Sequence, residues 1–258
     1  MFKVANKTHG FKLIGTDGGL LAKPYALTEL FLAPAQRIDI LVDFEKRQVG
    51  DVVELVSLAY DPMENDGGDG RDPREEHPGA HMMGEAFPIM QFKIKESICA
   101  PRKIPTTLSV IEKLKPARRR PRQFRLHMKG LKWLINGKNY LDDMQAIAFI
   151  AKRNSIELWD IKNDTKSMPH PIHLHGFTFQ IVHRKRSPPQ VKRLAIMPNG
   201  LSAQDTGWMD TVLVWPGETV RIAVDFRQPF TGDQQYMLHC HNLEHEDQGM
   251  MLNFIVRG

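Results

Sequence analysis

Hydrophobic residues in this chain recur at every second position far more often than at helical spacing. Ile38, Ile40, Val42 and Phe44 form one such run, and Phe177, Phe179 and Ile181 another. Val220, Ile222, Val224 and Phe226 form a third, while Leu252, Phe254 and Val256 close the chain. In an extended backbone alternate side chains leave opposite faces, so each run reads as a strand with one face on a core. The third run follows a Pro216-Gly217-Glu218 turn that ends the apolar stretch 211–215. Amphipathic helices are scarce, with 141–151 the best short candidate. The expected fold class is all-β, of the sandwich type.

The pattern also repeats. Residues 34–44, PAQRIDILVDF, align without gaps on 216–226, PGETVRIAVDF; both read as a turn feeding a strand that ends in Val-Asp-Phe. Such an echo predicts two related β-domains. The first, 1–97, ends with MQFKIKE and the second, 126–258, with MLNFIVRG, leaving 98–125 as a linker. Far fewer residues precede the echo in the first copy than in the second. The first domain is therefore expected to be partial, its open sheet edges completed by another chain or by further residues.

Composition is ordinary for a soluble globular protein, with 41% hydrophobic and 25% charged residues in 258. No apolar run has the length of a membrane span. The first residues, MFKVANKTHGF, lack the apolar core of an export signal, so the chain is expected to be cytoplasmic or to begin downstream of such a signal. The net charge of +5 hides a division. Segment 93–125 holds five Lys and six Arg against two Glu, a net +9, so the remainder carries −4. The run 117–122 has no aromatic platform for nucleic-acid bases and sits among Pro101, Pro105, Pro116 and Pro121, so it reads as a solvated linker. The opposite charge lies in 61–76, whose Gly, Pro and Asp content reads as a surface loop. Two cysteines, Cys99 and Cys240, allow one disulfide at most, and none if Cys240 binds a metal.

The chemistry concentrates in HCHNLEHEDQGM, which sets His239, Cys240, His241, His245 and Met250 within twelve residues; His170, His173 and His175 lie upstream in HPIHLH. If 236–241 is a strand, Cys240 points one way and His239 and His241 the other, so one strand can serve two metal sites. Copper fits best. A His₂Cys set with a weak axial Met is the blue-copper arrangement, and His170, Cys240, His245 and Met250 supply it. Structural zinc sites bring paired cysteines and would leave the other histidines unused. A thiol flanked by histidines on both sides also suits a bridge between metals better than a protease dyad.

HPIHLHGFTF at 170–179 and HCHNLEHEDQGMM at 239–251 resemble the signatures of the multicopper oxidase family, which includes laccases, bilirubin oxidases and bacterial copper efflux oxidases. Trp133-Leu134-Ile135-Asn136-Gly137 and 210–226 resemble further parts of that family's C-terminal domain, and 14–44 the latter half of its middle domain. The resemblance implies cupredoxin-like Greek-key sandwiches, a complete C-terminal one and a partial middle one. It implies a type 1 copper on His170, Cys240, His245 and axial Met250. His173 matches a type 2 ligand; His175, His239 and His241 match type 3 ligands. Single electrons from a small-molecule or metal-ion donor would then reach the type 1 site and cross Cys240 to a trinuclear cluster that reduces O₂ to water. Glu246 matches a glutamate associated with proton delivery, with Asp247 beside it as a second candidate carboxylate. A periplasmic or extracellular location also follows from the resemblance.

One departure matters. The family's cluster uses eight histidines, four of them from two His-X-His motifs in an N-terminal domain. The remaining histidines here, His9, His77, His81, His127 and His183, form no such motif. The chain supplies half of the type 2 and type 3 set, and the implied partner is an N-terminal cupredoxin domain from the same precursor or a separate chain. The alternative is a stand-alone blue-copper electron-transfer protein without oxidase activity. A weaker option is copper storage through His77, His81 and the methionines Met63, Met82, Met83 and Met90.

Overall fold

The period-two runs form strands because their branched and aromatic side chains pack from pleated surfaces onto a shared core. The computed structural model describes residues 1–6, 10–64, 79, 81–96, 103–116 and 119–258. It is 46% strand and 6% helical, an all-β molecule. Among the described residues no helix is long and apolar enough to cross a membrane.

The N-terminal strands make two sheets. β1 (Phe2–Asn6), β4 (Glu29–Leu32), β6 (Val52–Ser57) and β7 (Phe87–Lys93) form one, in the order β4-β1-β6-β7. β2 (Phe11–Thr16), β3 (Gly19–Leu27) and β5 (Ile38–Leu41) form the other, with β2 central. Val4, Phe11, Leu13, Leu21 and Leu30 pack together between them.

The C-terminal strands make two five-stranded sheets. β10 (Ile147–Lys152), β17 (Met251–Arg257), β16 (Gln234–Cys240), β12 (His170–Leu174) and β14 (Thr211–Val214) lie in that spatial order. Facing them are β13 (Phe179–Lys185), β15 (Thr219–Asp225), β11 (Ile156–Asn163), β8 (Arg122–Lys129) and β9 (Lys132–Ile135). Between the sheets lies one core that includes Trp159, Phe179, Phe226 and Phe254, all fully buried. Burying each such ring contributes roughly 2–3 kcal/mol. Cys240 and Met250 belong to this same core.

The sequence echo has a structural counterpart. In both turns the third residue takes a left-handed conformation, Ala35 at φ 64° and Gly217 at φ 76°. Gln36 N–H donates to Ala33 O, as Glu218 N–H donates to Trp215 O. The side chains reciprocate, since Ala33 N–H donates to Gln36 Oε1 and Trp215 N–H to Glu218 Oε2.

Two expectations are corrected. Residues 141–151 are not a helix: a 3-10 turn, Tyr140–Asp142, precedes β10, which pairs in parallel with β17. Leu141 and Met144 face solvent, so only Ile147, Phe149 and Ala151 carry the pattern, and they alternate. The strand β8 begins at Arg122, so Arg122 to Arg125 are not linker. Arg122 pairs with Glu157 and Arg125 with Asp164, which explains part of the basic run as cross-strand ion pairing. Ahead of β8, segment 103–116 straps the two halves. Leu108 N–H donates to Ala22 O, Leu114 N–H to Gln180 Oε1, and the Gln180 amide back to Glu112 O. Cys99, His9, His77, Arg118 and most of 61–76 lie outside the described residues.

Candidate metal centre

The site grows from the register of β12 on β16. Ile172 lies opposite Cys240 and His173 opposite His239. His170, Ile172 and Leu174 share the inward face of β12, so His170 enters the core beside Cys240. His173 takes the outward face with His239, and His175 follows it just past the strand end. The chain leaves β16 at Cys240 and forms a short helix, α2 (Leu243–Asp247; α1 is Pro189–Lys192), that returns His245 to the core. Met250 N–H then donates to His245 O, and Cys240 N–H to Met250 O, closing the loop on itself.

The inner group is His170, Cys240 and His245. Cys240 Sγ lies 3.5 Å from His170 Nδ1 and 3.4 Å from His245 Nδ1, and the two Nδ1 atoms are 3.1 Å apart. A centre equidistant from three atoms so spaced lies about 2 Å from each, the length of a metal–imidazole bond. Ser167 Oγ sits 2.9 Å from His170 Nε2, which leaves Nδ1 of that ring for the centre. Trp133 covers the site, its ring 4.2 Å from that of His245 and edge-on to His170 at 5.2 Å. Met250 is completely buried beside them.

Burial dominates the electrostatics here. It holds His170 well below the ordinary histidine range, helped by the neighbouring His245, and brings His245 down to about 4. It also pushes the Cys240 thiol up. Two imidazoles and a thiol whose charged forms burial opposes make a donor set suited to a cation. A soft metal fits it, because a coordinated ion stabilises the thiolate that burial opposes.

The outer groups are His173, His175 and His239, and His239, His241 and Glu246. His175 Nε2 and His239 Nε2 approach to 2.9 Å. His239 Nδ1 lies 3.0 Å from Cys240 O, and His173 Nδ1 lies 3.1 Å from Asp210 O. A carbonyl only accepts, so both rings carry their proton on Nδ1 and present an Nε2 lone pair outward. A lone pair facing a second ring nitrogen at that distance calls for a proton or a cation between them. Burial lowers His239 and, reinforced by His239 itself, lowers His175. Glu246 Oε2 stands 3.6 Å from His239 Nδ1.

The structure thus brings His170, Cys240 and His245 into one group and His173, His175, His239, His241 and Glu246 into a second. Asp247 is exposed and joins neither. His81 stacks on Phe87 and meets Glu85, and among the described residues it belongs to no donor group of three. His183 lies within β13, half-buried, with neither ring nitrogen hydrogen-bonded. Sequence reasoning passed over Ser167, Asp210 and Thr211. Their only signal is position, three residues before His170 and at the start of the strand opposite His173.

The model of the multicopper oxidase family matches residues 105–258. The chain is 29% identical over 246 residues to a bilirubin oxidase of Albifimbria verrucaria, covering 95% of this chain and 39% of that protein. It is 30% identical to a laccase of Bacillus subtilis, covering 93% and 45%. Among solved structures, the McoA multicopper oxidase of Aquifex aeolicus superposes with a TM-score of 0.80 at 33% identity, over all of this chain and 52% of that one. A two-sheet copper-protein fold with a buried His₂Cys group defines the class. The chain belongs to the multicopper oxidase family. Its fold is cupredoxin-like, the family's metal is copper, and the inner group is compatible with a type 1 site. The chain spans less than half the length of these curated relatives.

Proposed function

We propose that this chain is the C-terminal part of a multicopper oxidase, with 1–97 a partial middle domain and 122–258, from β8 onward, the type 1 domain. His170, Cys240, His245 and Met250 would hold the type 1 copper. His173 serves the type 2 position, and His175, His239 and His241 serve type 3 positions. Bound copper would supply one-electron oxidation of a donor at the inner site and four-electron reduction of O₂ at the outer one. The protein's part is to orient the donors, keep water from the inner site under Trp133, and hold Glu246 beside His239 as a proton carrier. Four further histidines, an electron donor and O₂ come from outside the chain, in a periplasmic or extracellular setting.

The observation that carries this reading is that Cys240 lies in the inner group while both its neighbours lie in the outer groups. Adjacent residues therefore tie the two centres through a few covalent bonds. Copper-loaded protein should show the intense visible band of a thiolate–copper bond, and C240S should lose it. A C240S protein that keeps the band would overturn the ligand assignment.

A further inference from the structure

The outer group is held from the far side by the N-terminal sheets. Arg37 leaves the start of the strand β5 and places its guanidinium fork on Asp210, Nη1 at 2.7 Å from Oδ1 and Nη2 at 2.6 Å from Oδ2. Its own carbonyl contacts, to Ala35 O and Asp17 O, fix the fork. Asp17, whose side chain is completely buried, accepts from Arg37 N–H through Oδ1 and from the Asp210 and Thr211 N–H groups through Oδ2. Gly18 N–H and Thr16 Oγ1 both donate to Trp208 O, and Gln36 Nε2 donates to Thr211 O. The backbone of 208–211 is therefore stitched to the other half of the chain.

This clamp helps to place a proton. Thr211 Oγ1 donates to Asp210 Oδ1 at 2.9 Å and lies 3.0 Å from His173 Nδ1. With its hydrogen committed to the carboxylate, the hydroxyl can only accept from the imidazole. Asp210 O, on the same ring nitrogen, can only accept as well. Both oxygens thus require Nδ1–H, and Nε2 keeps its lone pair for the outer group. If the carboxylate is released, the Thr211 hydroxyl is free to turn its hydrogen onto Nδ1; Asp210 O alone then holds Nδ1–H, and the opposite tautomer, which withdraws the ligating lone pair, gains population.

We propose that Arg37 and Asp17 are positioning residues for His173: across the seam between the two halves, they fix Asp210 and Thr211 so that His173 offers Nε2 to copper. The proposal rests on the reading of His173 as a copper ligand. Groups that orient a ligating imidazole affect metal affinity by roughly 10–100-fold.

The test uses the metal-free 258-residue chain with ¹⁵N-labelled histidine, whose ring correlations report each tautomer directly. Wild type should show His173 as a single Nδ1–H form. R37Q, which empties no core because Arg37 is half exposed, should show a second, Nε2–H form, and so should D17N. R37K keeps the charge but not the fork and should fall between. R257Q, which breaks the exposed Arg257–Asp233 pair, should match wild type. The signals of His127 and His183 report that each variant is folded. A single Nδ1–H tautomer in folded R37Q and R37K would overturn the proposal. Cu(II) added to wild type should then erase the His173 signals by paramagnetic broadening, and in R37Q about tenfold more should be needed. Failure of copper to reach His173 in wild type would sink the ligand reading, while the tautomer result judges the clamp separately.

Discussion

His245 is a basic residue held where its charged form is disfavoured, and that makes the metal-free protein sensitive to acid. In the unfolded chain it protonates near 6.5; in the folded chain burial delays this to about 4. Between those values the unfolded state binds the extra proton, so stability falls as pH drops through the window and is regained as pH rises above it. A shift of this size corresponds to on the order of 3 kcal/mol. Urea unfolding of the metal-free chain should show a marked loss between pH 7 and pH 4.5. H245Q, which cannot titrate, should be less stable at pH 7 but lose less on acidification. An equal loss in both proteins would mean that His245 is not the group responsible. At this scale the histidine and cysteine groups were legible because their chemistry is written in rare letters at fixed spacing. Ser167, Thr211 and Arg37 were not, because common polar residues acquire a role only when distant segments meet.

At the scale of elements, legibility followed the strength of the alternation. Val220 to Phe226 and Leu252 to Val256 were readable because strands buried on one face repeat strictly at period two. The 141–151 stretch misled because Leu141 and Met144 are exposed apolar residues that complete a false helical stripe. Their neighbours instead answer to β17, a partner more than a hundred residues away. The turn shared by 33–36 and 215–218 was legible as a repeat, but its left-handed third residue was not, since Ala35 disguises it. G217A tests that conformation alone, because an added Cβ meets only Thr165 at an ordinary 3.4 Å. It should cost about 1 kcal/mol through φ. G18A tests something else: its Cβ would overlap Trp208 and lie 2.9 Å from Trp208 O, forcing the seam apart. Overpacking of this kind costs about 1–3 kcal/mol. Denaturant melts of the two variants should therefore rank G18A as the more damaging, and the reverse order would count against a tight seam.

The whole molecule turns on that seam. Phe31 and Ala33 pack on Val191, Leu213 and Trp215, so an apolar cluster fixes the N-terminal sheets against the strand that also lines the outer histidines. What no local pattern could show is that Asp17 and Arg37 come to rest on Asp210 and Thr211, which in turn touch His173, because hydrogen bonds across the seam make that connection. On the proposed assignment the inner group is complete within these residues, whereas the outer one has four histidines here, His173, His175, His239 and His241. The two centres should therefore separate experimentally. Loaded with copper, the chain alone should develop the thiolate band yet consume no O₂ with a phenolic or cuprous donor. Joined to an N-terminal cupredoxin portion that carries two His-X-His motifs, it should bind about three further coppers and consume O₂, and H239A should abolish consumption while leaving the band. Oxygen uptake by the chain alone would contradict the division of ligands proposed here. A joined protein that stays blue but inert would favour a stand-alone electron carrier. The discriminating quantity is the copper count against oxygen uptake, because the band reports only the centre that contains Cys240.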